Sequence, residues 1–79
     1  MQAVRETRDL RGIDFHGACF RGRDLRGIDF RNAILRGADL HGALLHGALL
    51  WGADLSDADL TGATFTNMDL YGARLFNTK

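Results

Sequence analysis

A leucine or phenylalanine recurs at every fifth position of this 79-residue sequence, without a gap, from Leu10 to Leu75. We call these fourteen positions the central residues. Two residues after each central residue the sequence has glycine, asparagine or aspartate in every case. All ten glycines of the chain lie at this position, and the other four occupants are Asn32, Asp57, Asn67 and Asn77.

The column of glycine, asparagine and aspartate predicts a backbone turn every five residues, because these residues adopt a positive φ at the lowest cost. A continuous helix is excluded, since five residues advance about 500° around its axis and the central residues would spiral over every face. A flat strand is excluded as well, because an odd period would send successive central residues to opposite faces. The pattern therefore predicts a β-solenoid with the central residues filling its axis.

The repeats Ala38-Asp39-Leu40-His41-Gly42 and Ala58-Asp59-Leu60-Thr61-Gly62 resemble the A(D/N)LXX motif of pentapeptide-repeat proteins, and the resemblance extends over residues 8–77. It implies an all-β fold, a right-handed quadrilateral β-helix with one pentapeptide per side and twenty residues per coil. Fourteen repeats then make about 3.5 coils. We divide the chain into an N-terminal extension or cap at 1–7, the β-helix at 8–77 and a C-terminal tail at 78–79.

On this fold the central residue and the residue two before it point inward, and the other three positions point outward. The inward position is small or apolar except at Arg8 and Arg23. An unpaired buried guanidinium is very costly, so either both arginines lie at an open end of the coil, or residues 1–7 fold beneath them with Glu6 as a partner. We favour the open end. Phe15, Phe20 and Phe30 are expected to cluster in the first two coils.

Ten basic and ten acidic residues give a formal net charge of zero, which argues against a nucleic-acid partner. A single cysteine, Cys19, excludes an internal disulfide and fits a reducing compartment. The charged N-terminal segment does not resemble a secretory signal, and the most apolar run, residues 42–53, is too short to span a bilayer. We expect a cytoplasmic protein without a membrane contact.

Residues that suggest chemistry do not converge on one point. His16, His41 and His46 are expected to be exposed on three different sides, so they do not form a metal site. Aspartates before the central residue and arginines after it predict a solvated, self-neutralising surface whose ion pairs contribute little. The glycine spacing lacks the Gly-Lys-Ser/Thr of a phosphate-binding loop. We predict no catalytic site, no metal and no cofactor.

Apolar residues at outward positions are the sharper signal, because exposed apolar clusters mark interaction sites. Trp51 and Tyr71 are twenty residues apart and are expected to stack on one side, with Leu49 beside them. The predicted interaction surface consists of Ile34, Leu44, Leu49, Trp51, Tyr71 and Phe76.

The first function hypothesis is a non-enzymatic protein-interaction or self-assembly module. It would contact a protein partner or a second copy, either through the strip around Trp51 and Tyr71 or end to end, since solenoid ends need to be covered. The alternative comes from the resemblance: some pentapeptide-repeat proteins mimic duplex DNA, bind type II topoisomerases and protect them from quinolones. Those look acidic and longer and carry a C-terminal extension, whereas this chain is neutral and arginine-rich in its first half.

Overall fold

The computed structural model describes residues 8–79, and within this range the chain has neither a helix nor an extended strand. Its regular structure consists of isolated parallel bridges, each of which joins two residues that are twenty positions apart. The bridges are Asp9↔Asp29, Asp14↔Ile34, Cys19↔Asp39, Asp24↔Leu44, Asp29↔Leu49, Ile34↔Asp54, Asp39↔Asp59, Leu44↔Thr64, Leu49↔Asp69 and Asp54↔Arg74. One coil therefore takes twenty residues, and each bridge occupies the position before a central residue. No helix in the described range is long and apolar enough to cross a membrane.

Each pentapeptide ends in a turn, and the residue two positions after the central residue determines the backbone conformation of that turn. At the turn of Leu40 to Ala43, the Ala43 N–H donates to the Leu40 carbonyl oxygen at 3.0 Å. Gly42 has a φ of 69°, as the third residue of a type II turn requires. The four non-glycine residues at this position also have a positive φ, at 57–63°, so the turn every five residues is confirmed.

Successive coils are joined by the same three backbone hydrogen bonds wherever both coils are present. The Leu40 N–H donates to the Asp59 carbonyl oxygen at 2.8 Å, and the Gly42 N–H donates to that of Thr61 at 2.9 Å. In the opposite direction the Asp59 N–H donates to the Ala38 carbonyl oxygen at 3.0 Å. The register between coils is fixed, because a slip of one residue would move a central residue out of the interior.

The core is a column of alanine and leucine layers in the middle of the coil. Phe30 and the central leucines from Leu35 to Leu55 are at most 1% exposed, and so are the alanines that precede them by two positions. Phe30 contacts the half-buried rings of Phe15 and Phe20 edge to face, with centroid distances of 5.7 Å in both cases. The predicted phenylalanine cluster is therefore present in the first two coils.

The prediction that every central residue is buried is wrong at the C-terminal end. Phe65 and Leu75 are 48% and 46% exposed, because within the described residues they have a layer of side chains on one side only. Together with Leu60, Met68, Leu70, Thr78 and Lys79 they line an open apolar recess of about 480 Å³. At the other end of the described range Ile13, an inward residue, is 42% exposed.

The two inward arginines lie in the first described coil. Arg23 is exposed and Arg8 is half-buried, and the Arg8 Nη2 donates to the Arg26 carbonyl oxygen. The alternative to an open end, a cap formed by residues 1–7 with Glu6, lies outside the described residues.

Thr78 and Lys79, assigned to a tail by the sequence, take part in the same pattern of hydrogen bonds as the repeats. The Lys79 N–H donates to the Ala58 carbonyl oxygen at 3.0 Å, and the Leu60 N–H donates to the Lys79 carbonyl oxygen at 2.7 Å. The Thr78 hydroxyl donates to the Leu55 carbonyl oxygen at 2.6 Å.

Candidate interaction surface

One side of the coil combines charged residues in its first two levels with aromatic residues in the next two. It is formed by the pentapeptides centred on Leu10, Phe30, Leu50 and Leu70, and we call it the Trp51 face. The position after the central residue forms one column on this face, and the position before it forms a second. The first column holds Arg11, Arg31, Trp51 and Tyr71, and the second holds Asp9, Asp29, Leu49 and Asp69.

The aromatic pair predicted from the sequence is present. The rings of Trp51 and Tyr71 stack with a centroid distance of 5.9 Å and an interplanar angle of 22°. Trp51 is 43% exposed and Tyr71 is 72% exposed. Beside them, the corner of the coil at Asn32, Gly52 and Gly72 forms a shallow depression of about 210 Å³. Because these glycines carry no side chain, one flank of the aromatic pair stays open to solvent.

The other predicted surface residues are less uniform. Leu49 lies in the ladder between Asp29 and Asp69 and is half-buried. Leu44, on the preceding side of the coil, is also half-buried. Ile34 and Phe76 lie on the following side and are 37% and 78% exposed. Within the described residues, the one ring contact that joins two members of this set is that between Trp51 and Tyr71.

The lower half of the Trp51 face is a ladder of ion pairs. Arg11 Nε lies 2.8 Å from Asp9 Oδ1 and 3.7 Å from Asp29 Oδ2, and Arg31 Nη2 lies 2.7 Å from Asp29 Oδ2. Hydrogen bonds from the Arg11 side chain and backbone lower the pKa of Asp9 to about 2. The Arg31 side chain likewise lowers the pKa of Asp29. These carboxylates therefore stay ionised at neutral pH.

Aspartates before the central residue have a structural role that the sequence interpretation missed. Each accepts a hydrogen bond from the backbone N–H two residues later, as Asp59 Oδ1 does from Thr61 at 2.9 Å. The eight carboxylates that do so are Asp9, Asp14, Asp24, Asp29, Asp39, Asp54, Asp59 and Asp69. Aspartate bonding to its own backbone two residues on is a known turn motif, so its fixed place before the turn was the available signal.

The histidines and Cys19 do not form a site in the part of the chain that the structure describes. His16 is exposed, but His41 and His46 are half-buried rather than exposed as predicted, since each lies between side chains of the neighbouring coils. No group of three or more histidine, cysteine, aspartate or glutamate residues within residues 8–79 could hold a metal ion. Cys19 is exposed and has a free thiol.

Comparison with known proteins places this geometry in a family. The family of pentapeptide repeats matches residues 13–52 and 38–75, with eight copies. The chain belongs to the pentapeptide-repeat family. Pentapeptide-repeat proteins form right-handed β-helices, and this chain therefore has that fold. No curated protein is similar enough to this sequence to match it.

Several solved pentapeptide-repeat structures are similar to this chain. HetL, which is involved in heterocyst differentiation regulation in the cyanobacterium Nostoc, is 32% identical with a TM-score of 0.60, over 90% of this chain and 38% of HetL. A protein from the thylakoid lumen of Arabidopsis thaliana is 43% identical with a TM-score of 0.48, over 87% of this chain and 51% of that protein. QnrB1, a plasmid-mediated fluoroquinolone resistance protein, is 25% identical with a TM-score of 0.53, over 89% of this chain and 49% of QnrB1.

The chain thus spans between 38% and 51% of the length of these three solved structures.

Proposed function

We propose that this protein is a non-enzymatic interaction module of about three and a half coils that binds other protein surfaces through the Trp51 face and the apolar residues beside it. The observation that carries the proposal is the stacked, exposed pair of Trp51 and Tyr71. Tryptophan and tyrosine are the residues that most often anchor protein interfaces. Leu49 supplies apolar surface next to them, and Ile34, Leu44 and Phe76 extend it around the two corners.

The state of the carboxylates supports a non-enzymatic role. A general acid needs a pKa near the working pH, whereas hydrogen bonds lower the pKa of Asp29, Asp39, Asp54 and Asp59. Each of these groups also accepts a hydrogen bond from a backbone N–H within its turn. Their arrangement is that of turn-forming residues repeated around a coil.

The test compares two aromatic residues with nearly equal exposure. Trp51 is 43% exposed on the Trp51 face, and Phe65 is 48% exposed at the C-terminal end. Self-association is measured by sedimentation over a concentration series, and partner binding by capture on the immobilised chain. We expect Trp51→Asp to abolish these contacts and Phe65→Asp to leave them in place, with both variants folded by circular dichroism.

Two results count against the proposal. If Trp51→Asp leaves every contact of the folded protein unchanged, the Trp51 face is not the interaction surface. If Phe65→Asp alone removes the contacts, the protein associates through the open C-terminal end instead.

A second candidate function is favoured by the similarity to QnrB1, a fluoroquinolone resistance protein. On this hypothesis the coil would mimic duplex DNA and bind a type II topoisomerase. A DNA mimic needs uncompensated negative charge, but Arg11, Arg26 and Arg31 each pair with the aspartate two residues before them. A gyrase supercoiling assay decides: inhibition at low micromolar concentration supports mimicry, and unchanged supercoiling excludes it.

A further inference from the structure

We infer that the Trp51 face is a contact between two copies of this chain, which lie side by side and parallel about a two-fold axis parallel to the coil axis. The inference rests on the proposed function, because it names the partner that the Trp51 face binds. It follows from the order of residues in the two columns of this face.

The bridges place the two columns at matching heights. Asp9, Asp29, Leu49 and Asp69 are joined in one ladder by the parallel bridges between successive coils. Each of them lies two residues before a member of the other column, so every level of the face carries one pair. From the first coil upward, the levels are Asp9 with Arg11, Asp29 with Arg31, Leu49 with Trp51 and Asp69 with Tyr71.

A two-fold axis parallel to the coil exchanges the two columns while it preserves height. Isologous contacts of this type require a patch that is complementary to itself. At the second level Arg31 then faces Asp29 of the other copy, and at the first level Arg11 faces Asp9. At the third level the indole of Trp51 packs on the other Leu49, and at the fourth the Tyr71 hydroxyl donates to the other Asp69.

An antiparallel arrangement gives a poorer match. An axis across the coil keeps each column but reverses height. Arg11 and Arg31 would then face Tyr71 and Trp51, which is favourable, but Asp9 would face Asp69 and the carboxylate of Asp29 would face Leu49. Like charges that meet across an interface are strongly unfavourable, and so is an ion desolvated against an apolar group. The charges of the face therefore select the parallel arrangement.

The other sides of the coil lack this self-complementarity. On the side that follows the Trp51 face, the same operation would place Ile34 against Arg36 and Arg74 against Phe76. On the side that precedes it, Leu44 would meet His46, which is half-buried. On the opposite side, Cys19 would meet Arg21. The Trp51 face is the side on which every described level pairs opposite charges, two apolar groups, or a hydroxyl and a carboxylate.

The arginines keep donors for a second carboxylate after their contacts within the chain. Arg31 uses Nε and Nη2 to bind Asp29, at 2.9 and 2.7 Å. A guanidinium has five N–H donors in a fixed plane, so its remaining edge is available to an aspartate of the other copy. Each level of ion pairs would become a ring of two arginines and two aspartates, which the intrachain bonds already hold in place.

The size of the face sets the expected affinity. Four levels at about 4.8 Å each make a short contact, at the low end of the size range of specific interfaces. Solvent-exposed ion pairs add little affinity by themselves, so the apolar third level supplies most of it. We expect a weak dimer with a Kd on the order of 10–100 μM, further weakened by salt because two of its four levels are ionic.

The test is charge reversal followed by mixing, read by sedimentation equilibrium. Arg31→Asp gives one copy two carboxylates at the second level, and Asp29→Arg gives it two guanidinium groups. We expect each variant alone to dimerise at least about tenfold more weakly than the wild type, because like charges then face each other. An equimolar mixture should form a heterodimer of wild-type affinity, and Asp29→Arg combined with Arg31→Asp in one chain should restore the homodimer.

The matched control is Arg21→Asp, which reverses a charge on another side of the coil, where Arg21 lies 3.0 Å from Asp39. It should dimerise like the wild type. Asp29→Arg also removes the acceptor of the Arg31 backbone N–H, so its fold is checked by circular dichroism. If it does not fold, Asp29→Asn, which keeps an acceptor oxygen, replaces it, and its mixture with Arg31→Asp should bind more tightly than Arg31→Asp alone.

The dimer inference is overturned if the wild type is monomeric at 1 mM, if both single variants dimerise like the wild type, or if the folded variants do not recover affinity on mixing. The proposed function is tested separately. If the wild type is monomeric but binds a different protein, and Trp51→Asp abolishes that binding, the dimer inference is wrong and the proposed function stands.

Discussion

Fourteen residues between Gly12 and Asn77, spaced five apart, have φ values between 57° and 74°. This left-handed backbone conformation costs a residue with a Cβ atom roughly 1–2 kcal/mol, less for asparagine and aspartate than for others. Because the composition of this column reports the backbone angle directly, the turn positions could be predicted from the sequence alone.

Substitution at Gly37 isolates this conformational cost. No atom lies within 4 Å of a Cβ built on Gly37, whose φ is 66°, so Gly37→Ala causes no steric clash. We expect Gly37→Ala to lower the free energy of unfolding by about 1–2 kcal/mol, measured by urea denaturation. Gly37→Asn is the control and should cost less, since Asn32, Asn67 and Asn77 have the same conformation. Equal losses in the two variants would contradict this explanation.

The aspartates before the central residues accept backbone hydrogen bonds that the charge pattern alone does not predict. The charge pattern predicts a solvated surface, and the exposed ion pairs of Asp9 and Asp24 agree with that prediction, whereas the side chain of Asp29 is only 18% exposed. Their hydrogen bonds to the backbone N–H two residues later depend on the local turn geometry. The turn positions follow from the sequence, so these hydrogen bonds could have been predicted from the fixed place of the aspartate before each turn.

At the scale of the coil, the inward positions followed from the five-residue period, but their burial did not. Leu45 and Leu75 are both central leucines, but Leu45 is 0% exposed and Leu75 is 46% exposed. The period assigns both to the axis, whereas burial requires a layer on each side, and the last coil has a layer on one side only. The five-residue period does not show this difference, because Leu45 and Leu75 occupy equivalent positions in it.

Substitution of Leu45 and of Leu75 by alanine measures the effect of this difference in burial. Leu45→Ala removes a fully enclosed side chain and should cost about 2–5 kcal/mol. Leu75→Ala removes one that is already half in solvent, and we expect a loss of about 1 kcal/mol or less. Urea denaturation of both variants gives the comparison, and Leu45→Val serves as a milder substitution if Leu45→Ala does not fold. Similar losses at the two sites would mean that the C-terminal recess is covered in solution.

For the whole molecule, the carboxylates couple the stability of the coil to pH. Hydrogen bonds from Arg11 lower the pKa of Asp9 to about 2, and bonds from Arg31 lower that of Asp29. The pKa is also lowered, with backbone N–H groups among the causes, at Asp24, Asp39, Asp54 and Asp59. An unfolded aspartate titrates near pH 3.9, so the folded protein binds protons less readily than the unfolded chain.

The sign of the effect follows from linkage: a group with a lowered pKa stabilises the fold above its unfolded pKa, and this contribution disappears as the pH falls through its folded pKa. We therefore expect the urea midpoint to stay constant from pH 7 to about 5 and to fall between about pH 4 and 2. Arg31→Gln removes the largest cause of the low pKa of Asp29. It should lower the midpoint at pH 6, and the difference from the wild type should shrink as the pH falls below the unfolded value, since protonation of Asp29 removes the charge that Arg31 binds. A difference that persists unchanged at low pH would show that Arg31 stabilises the coil through packing of its side chain rather than through its charge.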